Sequence, residues 1–130
     1  MTAGWWQRPN DALGRLAASL VAGASRRQVA DATLHEDARY DRLFRLVPRH
    51  PTAMTFGSTI VARRRLDAAS IAHELAHVAQ YRRFGPLYLI VYLAGASWGW
   101  LRHGDSYAGN PFEARAMAAE RTGADDTAAQ

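Results

Sequence analysis

The sequence has 130 residues, of which 48% are hydrophobic and 22% charged, and this excludes both a disordered chain and a polytopic membrane protein while predicting one domain over 1-130. It contains no cysteine, so any bound metal must be held by histidines and carboxylates. The net charge of +4 comes from arginine without any lysine, and since no recognition motif accompanies the run Arg63 to Arg65, we expect no nucleic-acid partner.

The N-terminal segment predicts a helix after a short lead. Residues 1–9 lack the basic region of a secretory signal, so we expect a cytoplasmic protein. Pro9, Asn10 and Asp11 form a cluster of helix breakers. Apolar residues then recur at helical spacing, and this predicts an amphipathic helix from Leu13 that ends near Gly23.

The middle of the chain is less clearly patterned. Residues 26–38 are polar and ambiguous. Residues 40–47 fit a helix by their apolar spacing, but residues 43–47 fit a buried strand equally well. Residues 54–62 are rich in Thr, Ile, Val and Phe and predict one strand, in which Gly57 suggests a bulge or a close approach.

The next helix is predicted with both of its ends. Asp67 is a suitable N-cap, the helical body covers 68–84, and Gly85 with Pro86 marks the end. From Phe84 to Leu101 the chain is almost wholly apolar. We expect a buried core helix that ends near Gly95. The alternative is an interfacial segment that makes peripheral membrane contact through 86-101, in which case the protein would be membrane-associated.

The C-terminal part predicts a loop and a last helix. Residues 102–109 are polar and contain glycine, which favours a loop. Asn110 as N-cap and Pro111 at the first helical position predict a helix to about Thr122. We expect 123-130 to be a disordered tail.

The most informative motif is His73-Glu74-Leu75-Ala76-His77, in the middle of the predicted helix 68–84. Residues four apart lie on the same helical face, so His73 and His77 can bind one zinc ion. Glu74 lies about 100° around the helix from His73, within reach of a metal-bound water that it would not itself displace. The motif predicts a Zn2+ site with a water-activating carboxylate.

A catalytic zinc needs a third protein ligand and leaves one position for water. Glu113 is the leading candidate because it lies in the first turn of another predicted helix. The alternative is that Glu113 only caps that helix, in a capping-box arrangement with Asn110. His103 and Asp105, in the preceding loop, are reserve ligands.

The two motifs together resemble those of minimal gluzincin-like bacterial zinc metallopeptidases. The resemblance is carried by His73-Glu-Leu-Ala-His77 and by Asn110-Pro-Phe-Glu113-Ala-Arg-Ala116, and covers about 55-119. It implies that His73, His77 and Glu113 bind zinc and that Glu74 is the general base. It also implies that an extended peptide pairs along the strand around 56–61.

The sequence departs from larger thermolysin-like relatives at one orienting position. Those relatives carry an acidic residue one turn after the ligand glutamate, where this chain has Met117. Ligand orientation matters for metal affinity. Asp67, Asp105 or Asn110 are the possible substitutes.

These observations predict an α+β fold, mainly helical with a small β-sheet, around a zincin-like active-site helix. The expected function is a zinc-dependent metallopeptidase acting on a peptide or protein substrate. Glu74 would take a proton from the zinc-activated water and pass it to the leaving amine. Tyr107, His103 or Tyr81 would stabilise the oxyanion. The alternative function is a non-catalytic module in which zinc is structural.

Overall fold

The computed structural model describes residues 4–20, 25–38 and 51–129. Its helices and small mixed sheet confirm the predicted α+β class. Residue contacts divide the chain into two compact units, Met1–Leu66 and Asp67–Gln130, each of which is described by itself. One domain over 1-130 stays a prediction.

The first unit contains one helix and the sheet. Its elements are a 3-10 turn at Trp5–Gln7, helix α1 (Arg8–Ser19) and the strands β1 (Ser25–Val29), β2 (Ala32–Glu36), β3 (Ala53–Phe56) and β4 (Thr59–Ala62). Helix α1 begins before the predicted start, because Pro9 lies in its first turn, where a missing N–H costs no hydrogen bond. The predicted end at Gly23 lies outside the described residues.

The sheet has the strand order β1-β2-β4-β3. Strands β1 and β2 form an antiparallel hairpin, so the ambiguous segment 26–38 is a hairpin; segment 40–47 lies outside the described residues. The single strand predicted over 54–62 is wrong. Gly57 has a φ of 62°, which reverses the chain between β3 and β4 and makes two antiparallel strands.

Strand β4 lies inside the sheet, paired in parallel with β2 and antiparallel with β3. Its residues Ile60 and Val61 are fully buried, as is Leu34 of β2. Because the hydrogen-bonding groups of β4 serve two neighbours, the strand is no edge for an added peptide. The expectation that a peptide pairs along 56–61 is corrected for β4.

The second unit begins with helix α2 (Ala68–Phe84), whose predicted bounds are confirmed. The Asp67 carboxylate accepts a hydrogen bond from the Ser70 N–H at 2.8 Å, which satisfies a donor of the first turn. Gly85 ends the helix with a φ of 55°. A short 3-10 turn, Gly85–Leu87, leads into the next helix.

Helix α3 (Tyr88–His103) corrects the prediction of a core helix ending near Gly95. It continues through Gly95 and Gly99 and ends at Gly104, which is left-handed with a φ of 70°. Most of its large apolar residues are exposed. Among the described residues, the helical stretch Ala68–His103 is long and apolar enough to cross a membrane, judged by length and composition alone. Only 17% of its most apolar 18-residue segment is buried in the protein.

Helix α4 (Pro111–Ala128) is longer than predicted. The expected disordered tail 123-130 is corrected for residues 123–128, because the helix continues through Gly123 to Ala128. A Cβ added at Gly123 would lie 3.0 Å from the Ala72 Cβ, so this glycine allows α4 to pack closely on α2. A glycine at such a contact is compatible with a helix, whereas the sequence alone suggests a breaker.

Candidate metal centre

The three predicted ligands come together in the second unit. His73 and His77 project from α2, and Glu113 projects from the first turn of α4. One ligand atom from each residue lies within 4.8 Å of the others, and all three residues are buried. The packing of α2 on α4 therefore joins the two sequence motifs.

The two carboxylate–imidazole distances are those expected of ligands that share one metal ion. Glu113 Oε2 lies 3.4 Å from His73 Nε2 and 3.4 Å from His77 Nε2. With bonds of about 2.0–2.1 Å, tetrahedral zinc separates its ligand atoms by about 3.3 Å. Glu113 Oε2 is also buried without a hydrogen-bond partner, which is costly for a carboxylate oxygen unless a cation compensates it. The residues fit a divalent metal.

His73 is oriented by a carboxylate from α4. Its Nδ1 lies 3.0 Å from Glu120 Oε2, and because a carboxylate only accepts, Nδ1 carries the proton. In the neutral imidazole the lone pair is then on Nε2, on the side of Glu113 Oε2. This is the tautomer that a metal ligand requires.

His77 is oriented by a buried polar network. Gln80 Oε1 accepts hydrogen bonds from His77 Nδ1 at 3.0 Å and from the Tyr88 hydroxyl at 2.8 Å. The Gln80 amide donates to the Phe112 carbonyl at 3.0 Å, which fixes which end of the amide faces His77. His77 therefore also carries its proton on Nδ1.

Glu113 faces the imidazoles and does not act as a helix cap. Its Oε1 accepts a hydrogen bond from the Tyr92 hydroxyl, while the Asn110 side chain caps α4 by accepting from the Phe112 N–H. Burial alone would raise the pKa of Glu113, but His73, His77 and Tyr92 lower it well below its usual value. The carboxylate is thus ionised, as a metal ligand must be.

Glu74 and Tyr107 lie close to this centre. Glu74 is buried on α2. Burial lowers the pKa values of His73 and His77, but Glu113 and Glu74 raise them, and the net shift is upward. Burial, followed by the charge and hydrogen bonding of Glu113, raises the pKa of Tyr107. Tyr107 is 38% exposed, which places its phenol at the rim.

His103, also predicted near the centre, lies in the exposed last turn of α3 and is not in the ligand group that the described residues form. The other predicted alternatives serve local structure. Asp105 accepts hydrogen bonds from the Tyr107 and Ala108 N–H groups. Asp67 and Asn110 cap helices. The ring of Tyr81 packs against that of Tyr88, with 4.1 Å between the ring centres.

Sequence reasoning missed the residues that orient the ligands. Glu120 follows Glu113 by seven residues, which places both on one face of α4, and this spacing was a usable signal. Gln80 is likewise three residues from His77 on α2. Tyr88 and Tyr92 had no such signal, because only the packing of α3 brings their hydroxyls to the centre.

Comparison with known proteins gives one family. The family model described as the eCIS core domain matches residues 14–85. The match includes all of α2, with His73, Glu74 and His77, and ends before Glu113. No curated protein and no solved structure matches the chain.

Proposed function

This chain belongs to the eCIS core domain family, and we propose that it is a zinc-dependent metallopeptidase whose ligand set resembles that of the gluzincins. The observation that carries the proposal is the position of Glu113 Oε2, buried without a hydrogen-bond partner and 3.4 Å from both Nε2 atoms. Two histidines and one carboxylate are a ligand set of catalytic zinc. His73, His77 and Glu113 would hold the ion.

When bound, zinc would supply Lewis acidity and a water of lowered pKa. Residues of the chain itself would transfer the proton and stabilise the oxyanion. Glu74, next to His73 on α2, takes the proton from the attacking water and donates it to the leaving amine. The Tyr107 hydroxyl, near Glu113 at the rim, donates a hydrogen bond to the oxyanion. The substrate is a peptide or protein chain.

The alternative is a module in which zinc only joins α2 to α4. A structural zinc site fills its fourth position with a protein ligand, whereas the described residues supply a group of three. A structural site also has no use for a carboxylate beside the ligands. Glu74 therefore distinguishes the two functions.

Metal analysis tests the site itself. We expect about one zinc per chain in the purified protein, with loss of the metal in His73→Ala, His77→Ala and Glu113→Ala. Asp126→Ala, on an exposed position of α4, is the control and should retain zinc. Full zinc content in all three ligand variants would disprove the centre.

Peptide cleavage tests the catalytic role. Glu74→Gln should retain zinc but lose at least about a hundredfold in the cleavage rate of a fluorogenic peptide mixture, because the general base is absent. Tyr107→Phe should retain zinc and lose about tenfold or more in rate. A zinc-loaded wild type that cleaves no better than Glu74→Gln would favour the structural module.

A further inference from the structure

The outward face of α3 carries a continuous band of large apolar side chains. Ile90, Leu93 and Leu101 lie on one face of the helix, and their exposed fractions are 65%, 64% and 73%. The band is completed by three further exposed residues of α3, Leu89, Trp98 and Trp100, and by Leu87 in the preceding turn. An apolar surface of this extent marks an interaction site.

The opposite face of α3 is buried in the protein. Tyr88, Gly95 and Gly99 are its buried residues, and the band points away from them. Ser97, the polar residue within the band, donates its hydroxyl hydrogen bond to the Leu93 carbonyl at 2.9 Å. This internal bond satisfies the hydroxyl, so Ser97 can enter an apolar environment at low cost.

Positive charge flanks the band at both ends. Arg83 precedes it and Arg102 follows it, both exposed, and no acidic residue occurs between them. The Arg102 guanidinium lies 5.3 Å from the centre of the Trp98 ring. Tryptophan and arginine side by side are typical of the boundary between lipid headgroups and acyl chains.

We propose that this band binds the surface of an anionic lipid bilayer, with α3 lying parallel to the membrane plane. The 16 residues of α3 extend about 24 Å, less than the hydrocarbon thickness of about 30 Å, and the inner face remains packed in the protein. A second copy fits less well, since a two-fold antiparallel pairing through α3 would bring Arg83 of one chain towards Arg102 of the other. The proposal involves no metal ligand.

Sedimentation of the full chain with vesicles tests the proposal. At physiological salt we expect binding to phosphatidylcholine vesicles that contain about 30% phosphatidylserine. Binding to pure phosphatidylcholine should be about thirtyfold weaker, the effect of two arginines at an anionic surface. Arg83→Gln together with Arg102→Gln should reduce this preference for anionic vesicles.

A matched pair of variants separates the band from the net charge. Leu93→Glu with Leu101→Glu changes exposed positions of the band, and we expect more than about a hundredfold loss of vesicle binding. Ala124→Glu with Ala128→Glu makes the same charge change on exposed positions of α4 and should change binding less than about threefold. Circular dichroism verifies that both variants fold.

Two outcomes would overturn the proposal. One is equal vesicle binding by the two double variants, which would show that the band is not the contact. The other is the absence of vesicle binding together with a dimeric mass in solution that Leu93→Glu with Leu101→Glu halves, which would show that a second copy covers the band.

Discussion

The two imidazoles of the candidate centre are oriented by chemically different groups. His73 donates to the Glu120 carboxylate, whose side chain is 45% exposed, whereas His77 donates to the amide oxygen of buried Gln80. A carboxylate partner increases the basicity of a ligand histidine. We therefore expect His73 to be the stronger donor to the metal and Glu120 to matter for metal affinity.

Glu120→Ala should weaken zinc binding by about 10- to 100-fold, because the His73 ring loses the partner that fixes its tautomer and orientation. Competition with a chromophoric chelator measures the zinc affinity. Asp126→Ala on the same helix removes an equal charge and should leave the affinity within about twofold. Equal losses in both variants would attribute the effect to net charge alone.

The residues of the centre differ in how far sequence could predict them. His73, Glu74 and His77 occupy one short helical segment, so the helical repeat alone places them. Glu113 required an assumption about how two distant helices pack. Tyr88 and Tyr92 depend on the packing of a third helix, for which the sequence offers no local pattern.

At the scale of elements, two glycines of α3 determine how closely the segment before α4 can approach this helix. A Cβ at Gly95 would lie 2.6 Å from Asn110 Oδ1, and one at Gly99 would lie 2.6 Å from the carbonyl carbon of Gly109. Both glycines thus admit the segment that leads into α4. The predicted helix ended near Gly95 because a lone glycine lowers helix propensity, but tertiary packing overrides that preference.

Gly95→Ala should lower the free energy of unfolding by about 1–3 kcal/mol through overpacking, despite a gain of about 1 kcal/mol in helix propensity. Asn110 cannot yield easily, since it is fully buried and its side chain bonds to the Phe112 N–H and the Tyr92 carbonyl. Urea denaturation measures the change. Ser97→Ala, at an exposed position of α3, should change stability by less than about 0.5 kcal/mol, and a stabilised Gly95→Ala would contradict the close approach.

In the first unit, the buried Glu36 connects strand β2 to two other segments. Its Oε1 accepts from the Arg27 guanidinium on β1 at 2.6 Å, and its Oε2 accepts from the Leu66 N–H at 2.7 Å. The hydrogen bond from Arg27 lowers the pKa of Glu36, opposed by burial and supported by Leu66. The ionised form is therefore the one that stabilises the folded unit.

This lowered pKa predicts a pH-dependent stability. The contribution of Glu36 should be complete above its unfolded pKa of about 4.3 and lost as the pH falls through the lower folded value. Glu36→Gln should cost about 1–2 kcal/mol at pH 7 and less as the pH falls to 3, measured by urea denaturation. Asp126→Asn is the control with no such pH dependence, and a Glu36→Gln cost that is equal at both pH values would exclude the charge as its cause.

At the scale of the whole molecule, the sequence predicted the class of fold better than it predicted which strands pair. Helix α2 was predictable because Asp67 and Gly85 mark its ends. The strand pairing was not, because a four-residue strand such as β3 carries too few residues for an alternation to show. The parallel pairing of β2 with β4 joins segments far apart in sequence, which no local pattern reveals.

Metal binding should stabilise the second unit as a whole, because the ligands come from both α2 and α4. We expect that zinc at about a hundredfold excess over its dissociation constant raises Tm by roughly 10 °C and that a chelator reverses this. Differential scanning calorimetry measures the shift. Magnesium at the same concentration should have no effect, since it prefers oxygen ligands, and His77→Ala should abolish the zinc response.

The length of α4 has a consequence for shortened versions of the chain. A version that stops after Ala116 would keep the whole of both recognisable motifs. It would nevertheless lack Glu120 and the close fit of Gly123 against Ala72. Such a fragment should therefore hold zinc poorly, which means that the smallest working protein extends well past the point where its signature ends.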